Sequence, residues 1–292
     1  MTAVIIDGKK IAEGIRNEVG IAVKERIAAG LSVPGLATVL VGNDPASQIY
    51  VRNKMKACDR LGIYSVSYTL PEDTDFETLK ELINQLNVAP EIHGILVQLP
   101  LPPQIDEYSV LSMINPQKDV DGFHPINAGM LARKESEPWF IPCTSAGILR
   151  LIHSVQPDIT GMEAVVIGRS SIVGMPTAQL LCRINATVTI CHTKTVNLAA
   201  VCRRADLLVV AAGHSKLVKG DWVKPGAIVI DVGINRVNTP DSPKGYILTG
   251  DTEFDEIVNI AKAITPVPGG VGPMTIAMLM QNTLLAASRY SA

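Results

Sequence analysis

The stretch "VVIGRSSIVGMP", residues 165–176, joins an apolar run to a glycine turn and then to residues that suit the start of a helix. A strand that passes through glycine into a helix gathers backbone N–H groups at the positive end of the helix dipole, and an anion such as phosphate fits there. The spacing departs from the dinucleotide fingerprint G-x-G-x-x-G. Gly168 is followed by Arg169, Ser170 and Ser171, and the next glycine is Gly174. From the glycines alone, a phosphate loop and a plain strand-to-helix turn are equally open.

The residues downstream favour a cofactor and select its kind. "TVTIC" (187–191) reads as the next buried strand and runs into His192, Thr193, Lys194 and Thr195. An NAD site usually ends that strand with an acid for the ribose 2′-hydroxyl, whereas a 2′-phosphate needs cations and hydroxyls. No acid stands there, and Arg169, Thr193 and Lys194 supply the charge and the hydroxyl, so NADP is the expected cofactor. Two further apolar runs, "DLLVVAAG" (206–213) and "AIVIDVG" (227–233), extend a parallel sheet. Its carboxyl edge carries Gly233 and Ile234, expected near the nicotinamide. The cofactor set is therefore Gly168, Arg169, Ser170, Val173, Gly174, Thr193, Lys194, Gly233 and Ile234.

The same alternation precedes this half. A helix over 9–29 leads to strand "LATVLVG" (36–42), a helix to about 61, "SVSYTL" (65–70), a helix from about 75 to 87 and "GILVQLP" (94–100). The class is α/β: an N-terminal α/β catalytic domain over 1–141, then a C-terminal Rossmann-like parallel-sheet NADP domain over 142–272. The proline- and turn-rich stretch from Leu101 to Pro142 is expected to be the linker, and Thr144 to Val155 a connecting helix.

Bulk properties narrow the function classes. The 292 residues, 47% hydrophobic and 18% charged, suffice for two domains with cores of their own. A net charge of -2 without a basic stripe argues against a nucleic-acid partner. The apolar run in "MTAVIIDGKK" is too short for a signal-peptide core and no later run approaches a membrane span, so a cytoplasmic protein with no membrane partner is expected. Five cysteines without C-x-x-C pairs read as buried thiols, and five scattered histidines without H-E-x-x-H give no metal site.

The first half carries its own chemistry. In "NDPASQIYVRNKMKACDRLGI" (43–63), Asn43 or Asp44 can cap a helix and Pro45 suits its first turn. Ser47, Tyr50 and Lys54 are spaced i, i+3, i+7 and share a face. In a cleft they would offer an aromatic platform and an amine whose pKa burial lowers; taken alone, the spacing fits an exposed helix better. Gln98 stands at the carboxyl end of a buried strand, flanked by Val97 and Leu99, with an amide able to bond an amine or a substrate. In "KDVDGFHP" (118–125), Asp119 and Asp121 stand on opposite sides of an extended chain, so one can face a cleft and bind an N–H-rich heterocycle while the other caps or faces solvent. A divalent ion would need more acids than this pair supplies. "TPVPGGVGPMTIAMLMQNT" (265–283) exposes backbone N–H groups to a flat ligand before a helix from about 273 to 287, whose Met274, Met278 and Met280 read as core.

In order, the motifs are Tyr50-Val51-Arg52-Asn53-Lys54, Gln98-Leu99-Pro100-Leu101-Pro102, Lys118-Asp119-Val120-Asp121-Gly122-Phe123, Gly168-Arg169-Ser170 with Val173-Gly174-Met175-Pro176, and Pro268-Gly269-Gly270-Val271-Gly272-Pro273-Met274-Thr275. Together they resemble the bifunctional methylenetetrahydrofolate dehydrogenase/methenyltetrahydrofolate cyclohydrolase family over essentially the full length. The resemblance implies tetrahydrofolate derivatives as substrates, bound in a cleft between the two domains, a final helix (273–292) that packs back on the first domain, and a homodimer. It assigns Lys54 as the central catalytic residue, Tyr50 to stack on the aminobenzoate ring, Gln98 to tune the lysine and Asp121 to hold the pterin. The substrate set is Ser47, Tyr50, Lys54, Val97, Gln98, Leu99, Asp121 and the loop Pro268, Gly269, Gly270, Val271 and Gly272. The implied chemistry is hydride transfer from the methylene bridge to NADP, then hydrolysis of the methenyl cation to 10-formyltetrahydrofolate. A monofunctional dehydrogenase, a shikimate-dehydrogenase-like enzyme and a nucleotide-sensing module are the alternatives.

Overall fold

The computed structural model describes residues 2–240, 242 and 245–290. Among these, the strands are β1 (Val4–Ile5), β2 (Gly35–Val41), β3 (Tyr64–Leu70), β4 (Gly94–Val97), β5 (Glu163–Ile167), β6 (Thr187–Cys191), β7 (Leu207–Val210), β8 (Ile228–Asp231), β9 (Asn235–Asn238), β10 (Tyr246–Thr249) and β11 (Ala263–Ile264). The α-helices are α1 (Gly8–Ala28), α2 (Pro45–Leu61), α3 (Phe76–Val88), α4 (Glu107–Met113), α5 (Pro125–Ala132), α6 (Cys143–His153), α7 (Gly174–Arg183), α8 (Leu198–Cys202), α9 (Phe254–Ile257) and α10 (Val271–Tyr290). The chain divides into two compact units, with boundaries after Ala12, Cys143 and Thr275.

Glu13–Cys143, together with the chain from Ile276, forms one unit. Its sheet has the order β3-β2-β4 with both pairings parallel. Every residue of β2 is buried, as a strand covered on both faces requires. Ala37, Val39 and Val41, alternate residues of β2, pack in one core with Leu79, Ile83 and Leu86 of α3. The 2-residue and 3.6-residue periods thus meet face to face, and each buried aliphatic side chain contributes about 1.5–3 kcal/mol. Asp44 caps α2 by accepting Ser47 N–H at 2.7 Å, and Asp75 caps α3 by accepting Thr78 N–H at 2.7 Å.

The stretch expected to be a linker is part of this unit. It contains α4 and α5, and Leu101, Ile105, Val110 and Ile114 belong to the same core as β2. Both helices are only 7 and 8 residues long, too short to show a periodic stripe, and each is started by a side-chain cap. Asp106 accepts from Ser109 N–H and His124 from Ile126 N–H.

Thr144–Thr275, together with the chain as far as Ala12, forms the other unit. Its six-stranded sheet is parallel throughout, in the order β1-β11-β8-β7-β5-β6. The beginning of the chain, assigned to the first domain from sequence, supplies β1 here, with Val4 opposite Ala263 and Ile5 opposite Ile264. A two-residue strand carries no periodicity, so neither β1 nor β11 was visible in the sequence. The antiparallel pair β9–β10 was likewise unanticipated.

Cys58, Cys143, Cys191 and Cys202 are buried, but Cys182 is exposed on α7, which corrects the expectation that all five thiols are buried. Among the described residues, no helix is long and apolar enough to cross a membrane, and no group of three His, Cys, Asp or Glu side chains is arranged to hold a metal.

Candidate active site

Lys54 is only 6% exposed, although its spacing alone suited a surface helix. It belongs to the buried stripe Ser47, Val51, Lys54, Cys58 and Leu61 of α2, spaced by four and three residues. Its amine donates to Gln98 Oε1 at 3.0 Å. Gln98 is the first residue beyond β4, where its N–H donates to Val39 O at 2.8 Å, and its own amide donates to Leu99 O at 2.7 Å. The carboxamide is thereby oriented with its oxygen on the lysine. Ser47 is buried on the same stripe, whereas Tyr50, one residue off it, is 39% exposed. Val97 is buried at the end of β4 and Leu99 is partly buried beside it.

The two aspartates divide as one of the sequence readings allowed. Asp119 is 1% exposed and accepts three bonds, from Phe123 N–H at 3.1 Å, His124 N–H at 2.8 Å and Asn127 Nδ2 at 2.8 Å. It caps the turn into α5; burial outweighs those donors and pushes its carboxyl up to about 7. Asp121 makes none of these bonds and lies close enough to Lys54 to feel its charge. Burial raises its carboxyl, while the charge of Lys54 and the thiol of Cys143 oppose the rise. Cys143, missed from sequence, is 1% exposed, and burial drives its thiol well above its ordinary value. Asn282 of α10 holds this corner by donating to Val120 O at 2.8 Å and Ile141 O at 3.2 Å. Lys54, Gln98, Asp121, Ser47 and Tyr50 all belong to the unit Glu13–Cys143.

In the other unit, a cavity of about 550 Å³ opens at the carboxyl edge of the parallel sheet. Gly168, Arg169, Ser170 and Thr193 line it, and the structure adds Thr195 and His214, which the sequence reading did not assign. Gly168 has φ +124°, and a Cβ there would collide with Ala211 O. At Gly174 a Cβ would collide with Gly168 O. The start of α7 is therefore packed directly on the strand exit. Ser170 Oγ accepts from Val173 N–H and Gly174 N–H, each at 3.3 Å, which fixes the turn into α7. Lys194 lies outside the cavity wall in the exposed turn closed by Thr195 N–H on His192 O at 2.8 Å. Gly233 and Ile234 also lie outside it.

The loop 268–272 lies in this same unit rather than with Lys54. Val271 and Gly272 already form the first turn of α10. Lys9 N–H donates to Gly269 O at 3.1 Å, which ties the loop to the start of α1. A Cβ on Gly272 would stand 3.5 Å from Ile234 Cδ1. A residue assigned to the cofactor and one assigned to the substrate are therefore neighbours.

Two family models match the chain. Residues 6–121 match the tetrahydrofolate dehydrogenase/cyclohydrolase catalytic domain, and residues 142–291 match the NAD(P)-binding domain of the same family. The chain belongs to the tetrahydrofolate dehydrogenase/cyclohydrolase family. A relative named bifunctional protein FolD, from Rhodospirillum centenum, is 55% identical over 289 residues, covering 98% of this chain and 94% of its own length. The solved structure of the bifunctional FolD enzyme from Campylobacter jejuni is 45% identical with a TM-score of 0.93, covering 98% of this chain and 99% of its own. The FolD of Trypanosoma brucei, solved with an NADP cofactor and an inhibitor, is 43% identical with a TM-score of 0.94, covering 99% of this chain and 98% of its own. In family terms, the Lys54–Gln98–Asp121 corner falls within the catalytic-domain match, and the 550 Å³ cavity within the NAD(P)-binding match.

Proposed function

We propose that this chain oxidises 5,10-methylenetetrahydrofolate with NADP and hydrolyses the resulting methenyl form to 10-formyltetrahydrofolate. The observation that carries this reading is the buried Lys54 amine held 3.0 Å from Gln98 Oε1, with Asp121 beside it. NADP, when bound, accepts the hydride that leaves the methylene bridge. The chain's part in that step is alignment, because orientation of the two reacting carbons removes most of the entropic barrier. Gly168, Arg169, Ser170, Val173, Gly174, Thr193 and Lys194 hold the nucleotide and its 2′-phosphate. Gly233 and Ile234 flank the nicotinamide. Ser47, Tyr50, Val97, Leu99 and Asp121 hold the folate within the unit Glu13–Cys143, and the loop Pro268–Gly272 is assigned to the folate by the family resemblance alone.

In the hydrolytic step, water adds to the methenyl carbon and the adduct loses one proton; the remaining hydroxyl proton passes to N5 as the bond from that carbon to N5 breaks, which leaves the formyl group on N10. Lys54 Nζ, oriented by Gln98, is the group placed to move the proton. Asp121 accepts N–H bonds from the pterin. One absorbance assay tests both steps: NADPH and the methenyl chromophore are followed in the same cuvette, and hydrolysis of added methenyltetrahydrofolate is followed without cofactor. A monofunctional dehydrogenase would show the first signal alone.

We also infer a cytoplasmic homodimer. Support comes from the family resemblance and from the uncovered edge of β3, whose Tyr64 is 49% exposed. Light scattering in solution tests the mass.

A further inference from the structure

The cavity in the nucleotide unit has a wall made by the chain leaving β7, where Ala211, Ala212 and His214 line the space. Three successive N–H groups of that wall point at one side chain. Ala212 N–H and Gly213 N–H donate to Asp251 Oδ2 at 2.7 and 2.8 Å, and His214 N–H donates to Asp251 Oδ1 at 2.9 Å. Gly213 has φ +65°, which turns the consecutive N–H groups into a concave nest. Such a nest ordinarily receives an anion, and here the chain's own carboxylate occupies it.

Asp251 is 0% exposed and its reach extends further. Its Oδ1 also accepts from Asn235 Nδ2 at 2.8 Å, and a Cβ on Gly233 would collide with the same oxygen. Its N–H donates to Asp231 Oδ1 at 2.9 Å, and Asp231 in turn accepts from Gly233 N–H at 3.0 Å and from Thr252 Oγ1 at 2.6 Å. One carboxylate thus ties the β7 wall of the cavity to Gly233 and Asn235, the residues on either side of Ile234.

We propose that Asp251 is a positioning residue for the dinucleotide, fixing the β7 wall of the nucleotide cavity relative to Ile234, where the nicotinamide is to be aligned. This rests on the dinucleotide reading of the cavity. By filling the nest, Asp251 also leaves the Gly168–Ser170 turn as the place for phosphate. No substitute reproduces the geometry easily: an asparagine has one acceptor oxygen, so in either orientation its NH₂ faces two of the four donors.

The test uses the full chain and compares wild type with Asp251→Asn in NADP and NAD titrations, dehydrogenase kinetics and methenyltetrahydrofolate hydrolysis. Two buried donors left unpaired raise the NADP Kd about ten- to hundredfold and lower the dehydrogenase kcat by a similar factor. Hydrolysis, which depends on Lys54 and Gln98 in the other unit, stays near the wild-type rate. That split separates positioning from general unfolding, which removes both activities. An unchanged NADP Kd overturns the proposal, and so does a raised Kd with unchanged kcat, because the link to Ile234 is then absent. If Asp251→Asn does not fold, Asn235→Leu, which removes one donor, is read instead: a smaller rise in Kd with intact hydrolysis supports the proposal and no rise overturns it. Failure of wild type to bind either dinucleotide is a separate result and overturns the cofactor reading itself.

Discussion

Lys54 Nζ stands 3.0 Å from Gln98 Oε1, on a helix stripe otherwise made of Ser47, Val51, Cys58 and Leu61. An amine on a buried stripe, bonded to a neutral amide, is a reagent more than a surface charge. Lys54→Met keeps the stem's volume and removes the nitrogen, so it abolishes methenyltetrahydrofolate hydrolysis, by about 10²–10⁴-fold, while the fold and NADP binding persist. Hydrolysis at the wild-type rate in this variant would end the assignment of Lys54.

Arg169 lines the nucleotide cavity, with Thr193 beside it and no acid at the end of β6. Arg169→Ala therefore raises the KM for NADP about tenfold or more and leaves that for NAD nearly unchanged, since only the former carries the 2′-phosphate. Steady-state kinetics with both dinucleotides check this. Equal losses for the two would place Arg169 elsewhere.

Gly174 has no room for a side chain, because a Cβ would run into Gly168 O and stand 2.8 Å from Arg169 N. Gly174→Ala pushes the start of α7 away from the loop and destabilises the protein by about 1–3 kcal/mol, with weakened NADP binding. Urea denaturation gives the first quantity and titration the second; a variant as stable as wild type would contradict the close approach.

Asp119 and Asp231 are buried carboxyls raised from 3.8 to about 7 and about 6, burial being the main cause of each. A carboxyl raised in the folded state binds its proton more tightly there than in the unfolded chain. Its contribution to stability is therefore full below about pH 4 and is lost as pH rises through about 6 and then about 7. Stability measured by denaturation between pH 4.5 and pH 8 is expected to carry this fall, and Asp119→Asn to flatten its upper part (about one titrating proton). An unchanged slope in that variant would show that Asp119 does not titrate in this window.

Much of the nucleotide half was legible because its signals are local. "VVIG" and "TVTIC" are contiguous apolar runs, and the glycine turn that follows the first lies within a few residues of it. In the catalytic half, the burial of Lys54 was also written locally, in the four-and-three spacing from Ser47 to Leu61. The sequence reading followed the Ser47–Tyr50–Lys54 face instead, which the structure splits between buried and exposed positions. Leu101 to Pro142 looked like a linker because short capped helices leave no periodic trace.

What the sequence by itself determined was thus the α/β class, the parallel strands and the NADP-binding half, all carried by neighbours in the chain. Only the tertiary structure decided which aspartate is taken up by backbone donors and which is set near the lysine. Asp119 is taken by donors at Phe123, His124 and Asn127, leaving Asp121 beside Lys54, although the two acids look alike in "KDVDGF". It alone paired Val4 with Ala263, and it alone carried Asp251 to N–H groups 37 to 39 positions earlier in the chain. A hydrogen bond is a matter of distance and angle in space, and no spacing along the chain encodes it once the partners lie on different elements.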